Sequence, residues 1–160
     1  MLLRAALLVI LGAPAAVAGP WPETPSGTFI SVTEDFTDGG TRGTTSIFVE
    51  SGGNERFSIG LDSELGETDN DWSAYAFVRQ PLSARSARDR LSISAGIGAQ
   101  QTAEGTEPLI VLGGAWGRDM ENGFSGWLSL EGEARYAANS GQTELQGGAT
   151  VAVEPIDRIA

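Results

Sequence analysis

Leu91-Ser92-Ile93-Ser94-Ala95-Gly96-Ile97-Gly98-Ala99-Gln100 changes character at every residue. Leu91, Ile93, Ala95, Ile97 and Ala99 fall on one parity; Ser92, Ser94, Gly96, Gly98 and Gln100 fall on the other. A period of two is the spacing of a strand whose faces meet different surroundings, and no helix face collects residues this way. Phe57–Glu64 repeats the pattern, with Phe57, Ile59 and Leu61 against Ser58, Gly60, Asp62 and Glu64. Thr143–Glu154 and Phe124–Tyr136 do the same. Thr28–Phe36, Thr44–Ser51, Trp72–Arg79 and Pro108–Gly117 alternate less cleanly. Gly, Asn, Asp and Pro clusters separate the runs, so the spacing predicts an antiparallel up-and-down meander of about eight strands.

The 160 residues suffice for one domain, and their composition excludes whole classes of chemistry. His, Cys and Lys are absent, and all ten cations are Arg. No thiolate or imidazole zinc site, disulfide or imidazole base is available. A net charge of −11 leaves no basic footprint for nucleic acid. Residues 1–18 read as an export signal: Arg4 precedes an apolar run that Pro14 cuts too short to span a bilayer, and Ala16-Val17-Ala18 forms a small-x-small cleavage site. Residues 19–27, with Pro20, Pro22 and Pro25, form a Pro-rich leader, and residues 28–160 a single β domain.

Alternation alone does not separate a soluble sandwich or barrel from a membrane barrel, because only the medium on each face differs. Three features favour lipid outside. The polar parity is mostly Ser, Gly, Thr and Gln, which suits a narrow lumen better than a water-facing sheet. Aromatics on the apolar parity sit near strand ends, with Phe36, Trp72 and Tyr136 at one end and Phe57, Trp116 and Phe124 at the other. Such rings favour the headgroup zone. Trp127 falls on the polar parity and breaks this pattern. An exported chain without Cys suits the outer membrane or the periplasm.

Glu55-Arg56-Phe57-Ser58-Ile59 and Asp89-Arg90-Leu91-Ser92-Ile93 share the form acid–Arg–apolar–Ser–Ile. Arg56 and Arg90 lie 34 residues apart, and Asp157-Arg158 recurs after two further such steps. The repeat marks a strand pair, with acid–Arg capping a turn at the rim. Asp157-Arg158 is then expected to open a ninth strand beside Thr143–Glu154, so the eight strands do not close on themselves and the chain reads as a fragment.

The Gly19-Pro20-Trp21-Pro22 leader and Phe57-Ser58-Ile59-Gly60-Leu61-Asp62 are two of the segments that carry a resemblance. Ala76-Phe77-Val78-Arg79-Gln80-Pro81-Leu82 and Pro155-Ile156-Asp157-Arg158 are the others. Together they resemble a group of small outer-membrane β-barrel proteins of Gram-negative bacteria whose motifs carry no known activity. The resemblance implies a transmembrane barrel ending on a C-terminal aromatic, from which Ala160 departs.

Candidate chemistry is sparse. Glu64, Glu67, Asp69 and Asp71 could offer oxygen ligands to divalent cations, but they lack the spacing of a calcium loop and read as a solvated hairpin. Arg79, Arg85, Arg88 and Arg90 crowd the opposite end. Glu131, Glu133 and Arg135 share one face of a strand, where they form a lumen ion-pair network more simply than an acid/base pair. Gly113-Gly114-Ala115-Trp116-Gly117 has neither the Lys nor the following helix of a phosphate loop. No catalytic residue, metal ligand or cofactor site is assigned. The expectation is a non-enzymatic, porin-like outer-membrane barrel, partnered by outer-membrane lipid and by divalent cations at its acidic loops, and serving membrane integrity or small-solute passage. The alternative is a soluble periplasmic barrel or sandwich that binds a hydrophobic ligand.

Overall fold

The computed structural model describes residues 27–36, 42–54, 56–66, 71–84, 87–102, 104–120 and 125–154. The export segment 1–18, the leader up to Ser26, Glu67, Asp69, Arg85 and the Asp157-Arg158 strand start lie outside them. Eight strands follow one another: β1 Thr28–Phe36, β2 Arg42–Gly52, β3 Ser58–Leu65, β4 Trp72–Pro81, β5 Asp89–Thr102, β6 Gly105–Met120, β7 Ser125–Ala137 and β8 Thr143–Glu154. Each pairs antiparallel with the next, giving a single sheet in sequence order. Short hairpin links make sequence neighbours the cheapest partners. No ladder joins β1 to β8 among the described residues, so the sheet is a curled half-barrel with two open edges.

β5 and β6 outrun the sequence expectation at both ends, pairing from Asp89↔Arg118 to Thr102↔Gly105. The Asp89-Arg90 pair therefore lies within a strand instead of a turn. Arg118 donates from Nε and Nη2 to the two Asp89 carboxylate oxygens, both at 2.7 Å, while Arg90 Nη2 reaches Asp119 Oδ2 at 3.0 Å. At the β2–β3 turn the cap is Asn54, whose Oδ1 accepts the Arg56 and Phe57 amides. The acid–Arg signature thus marks cross-strand ion pairs between β5 and β6, while at the β2–β3 turn Asn54 caps Arg56 and Glu55 lies outside the described residues.

Register identifies the faces. Ile30, Val49, Leu61, Ala76, Ile97, Ile110, Tyr136 and Thr143 are successive partners across all eight strands, forming one outward row. Ile97 is 72 % exposed and Leu145, on the same face of β8, 79 %. Ile93, Leu130 and Val151 are exposed there too, and Leu128 is half-buried. The opposite parity is concave, because on that side Arg135 of β7 reaches Glu64 of β3 across the three intervening strands.

The concave face is less uniformly polar than the parity pattern predicts. Phe29, Phe48 and Phe77 pack in sequence with ring centroids 6.0 and 5.5 Å apart, and Tyr75 lies 6.2 Å from Phe77. Leu109 and Val111 complete this buried patch. β4 and β6 carry apolar residues on both parities, which is why their alternation is blurred in the sequence.

The aromatics sit among glycines. Phe77 pairs with Gly60 on one side and Gly96 on the other, while Tyr75 pairs with Gly98. A Cβ on Gly98 would fall on the Ala74 carbonyl oxygen and 2.5 Å from Tyr75 Cα, whereas one on Gly148 meets nothing within 4 Å. Gly98→Ala is therefore expected to cost about 1–3 kcal/mol by overpacking, with Gly148→Ala near neutral, as read from urea unfolding.

Candidate functional site

Besides the Arg90–Asp119 pair at the strand ends, three groups of charged side chains stand out on the concave face among the described residues. The first closes one end of the aromatic patch. Arg79 Nη1 lies 2.9 Å from Glu50 Oε2, and the Ser58 hydroxyl donates to Glu50 Oε1. Glu50 is 2 % exposed, and a carboxylate so far from water needs both a counter-charge and a hydrogen-bond donor. The Arg79 guanidinium also lies 5.5 Å from the Phe77 ring centroid and 6.0 Å from that of Phe48, a cation–π arrangement.

The second group spans the concavity. Arg135, 6 % exposed, donates from Nη1 to Glu64 Oε2 and from Nε to Glu133 Oε1, each at 2.6 Å. The Tyr75 hydroxyl lies 2.8 Å from Glu133 Oε2 and 3.1 Å from Asp62 Oδ2. A phenol has one proton, so it serves these two acceptors one at a time. Three strands thereby meet in one network: β3 through Asp62 and Glu64, β4 through Tyr75, and β7 through Glu133 and Arg135.

The third group sits near the β7–β8 turn. Glu107 accepts from Gln100 Nε2 at 3.1 Å and from the Ser140 amide at 3.0 Å, which ties the β5–β6 ladder to the turn.

Two cavities open on this face. One, of about 280 Å³, is lined by Asp62, Arg79, Ser94, Glu131 and Glu133 among others; the second, of about 350 Å³, by Asp71, Trp72, Gln101 and Glu144. Glu64, Arg135 and Gln146 line both. The Glu64–Arg135 bridge thus borders both cavities.

Glu131, Glu133 and Arg135 share the concave face as the parity of β7 requires, and Glu133 and Arg135 are ion-paired. Glu64 belongs to β3 and serves Arg135, so it is not part of an acidic hairpin loop. Asp71 lines a cavity, while Glu67 and Asp69 fall outside the described residues. The four Arg residues expected to crowd one end separate. Arg79 turns inward to Glu50, Arg90 pairs with Asp119, Arg88 is exposed, and Arg85 is outside the described residues. Asp62 and Tyr75 were legible as concave by parity, but nothing in the sequence announces that one hydroxyl meets carboxylates from two separate strands. Among the described residues no group of three or more acids is arranged to hold a metal ion.

No protein family matches the sequence, and neither the curated proteins nor the solved structures provide a match.

Tyr75→Phe removes the hydroxyl that links β4 to β7 and is expected to destabilise by about 1–3 kcal/mol in denaturant titration. Asp89 at the strand ends behaves differently. The Arg118 fork holds its carboxyl below the ordinary range, so this pair's contribution is present above the usual carboxylate pKa and is lost as pH falls through the lowered value. The pair is exposed, so Asp89→Asn should shift the unfolding midpoint little, and added salt should erase the difference.

Proposed function

We propose that this chain is the wall of a non-enzymatic outer-membrane β-barrel, facing lipid with its convex side and serving membrane integrity or small-solute passage on its concave side. One observation carries the reading: the sheet is inside out relative to water. Among the described residues eighteen large apolar side chains are exposed and five hydrophobic residues are buried, while Glu50, Glu107 and Arg135 are buried charges. Water-soluble monomers rarely expose a contiguous apolar surface of this extent. Hydrocarbon reverses the accounting, since apolar side chains are at home there and charges gather inside.

The aromatic placement supports the same orientation. Trp72, which also borders a concave cavity, and Tyr136 fall on the convex parity at one end and Trp116 at the other, as interfacial girdles do. The convex face also carries a shallow apolar groove of about 690 Å³, floored by Ala76 and Ala95 and flanked by Leu61, Val78, Ile97 and Leu112. An acyl chain fits such a trough without polar contacts. Entry into lipid also requires that the backbone groups on the free edges of β1 and β8 be paired, because hydrocarbon offers them no substitute for water.

The alternative, a soluble periplasmic barrel or sandwich holding a hydrophobic ligand, needs an apolar cavity on the concave side. The aromatic patch there favours it, but the two concave cavities are lined by charged and polar groups. Partition of the exported protein into detergent, with a heat-modifiable gel shift, is the expected result; a monomer soluble without detergent overturns the proposal. Placement within the bilayer is tested separately. Ile93→Arg, on the convex face, should cost about 2–4 kcal/mol in lipid if it lies near the midplane, and Ser94→Arg, facing the cavity, should cost less.

A further inference from the structure

We propose that Arg135 sets the ion preference of the concave path, acting as the removable counter-charge of an otherwise acidic constriction; this rests on the passage reading above. The two concave cavities are lined by the carboxylates of Asp62, Glu64, Asp71, Glu131, Glu133 and Glu144 and by the guanidiniums of Arg79 and Arg135. Arg79 is already matched by Glu50 at 2.9 Å. Arg135 is therefore the cation opposed to all six, and it stands where the cavities adjoin.

Its geometry suits a dividing role. The guanidinium is held on two sides by Glu64 and Glu133, each at 2.6 Å, and by the Tyr75 ring 5.5 Å from its carbon. Three donors and a planar fork keep it in one position, which a flexible ammonium would not do. The two cavities share Glu64, Arg135 and Gln146 in their lining, so a solute moving between them along the sheet runs beside the Glu64–Arg135 contact. A ring of carboxylates attracts cations, and a fixed guanidinium within it lowers both the local charge and the free width.

The two ends of this bridge should consequently act with opposite sign. Arg135→Gln leaves Glu64 and Glu133 uncompensated and shortens the side chain, so cation preference and conductance rise. Glu64→Gln leaves Arg135 in place with one carboxylate fewer, so cation preference falls. A purely structural role for the bridge would change how much protein folds, and would not move the two variants in opposite directions.

The test is the reversal potential of the full chain in planar lipid bilayers under a potassium chloride gradient, with single-channel conductance recorded alongside. The expected result is a K⁺-to-Cl⁻ permeability ratio raised about threefold by Arg135→Gln and lowered by a similar factor by Glu64→Gln, the scale of one unit charge at close range. Arg118→Gln, on the convex parity at the strand ends, should match the wild type. Should Arg135→Gln fold poorly, Glu64→Gln alone still decides the sign. Shifts in the same direction, or none, from a conducting wild type overturn the inference and leave the passage reading standing. A wild type that inserts without conducting overturns both.

Discussion

The curl of this sheet depends on a size match between aromatics and glycines on its concave face. Phe77 lies between Gly60 and Gly96, and Tyr75 lies against Gly98, in rows where each large ring meets a partner without a side chain. Sheet curvature shrinks the space available on the inner side, so bulk at one strand must be offset by absence at the next. With the Phe77 ring over Gly60 and the Tyr75 ring against Gly96, β7 comes close enough for Glu133 to reach Tyr75 and for Arg135 to reach Glu64. The ionic network is thus downstream of the packing: the glycines set the approach, and the charges fasten it.

Buried ion pairs are a fragile fastening in one sense. Taking the Arg135 guanidinium out of bulk water costs several kcal/mol, its half-buried carboxylate partners lose part of their hydration, and the mutual attraction offsets this only with good geometry. Here the geometry is good, and the charges on separate strands specify which strands meet. An apolar patch could hold the curl, but it would tolerate slippage between neighbouring rows. Glu50, sealed by Arg79 and Ser58, plays the same specifying role at the other end of the aromatic patch.

Most of the fold was legible because period two is a local signal. β5, β7 and β8 alternate clearly, and each forms within two residues of its expected bounds. β4 and β6 were harder to read, since Tyr75, Phe77, Leu109 and Val111 put apolar bulk on the concave parity as well. β1 and β8 stay unpaired among the described residues, as expected, while the ninth strand that the 34-residue repeat places at Asp157-Arg158 lies outside them. The site was only half legible. Parity places Glu133 and Arg135 inward, but Glu64 is 71 residues from Arg135 and ends a different strand. That distance is closed by the degree of curl, a collective property of packed rows that no single stretch of sequence displays. The rim pairs were misread for a related reason. Asp89 and Arg118 meet through ladder register, which depends on where the hairpin turns, and the turn formed further out than its Gly and Pro residues suggested.

The half-barrel also sets a kinetic problem. Every residue of β8 from Thr143 to Val151 is exposed, on both faces, and among the described residues β8's outer edge lies opposite no other strand. In an aqueous compartment such a strand is a template for any other extended chain, including its own copies. Mispairing between chains is second order in protein concentration, whereas folding of a single chain is first order. The fraction reaching the native sheet is consequently governed by how dilute the unfolded chain is kept while it folds, more than by the depth of its final energy well.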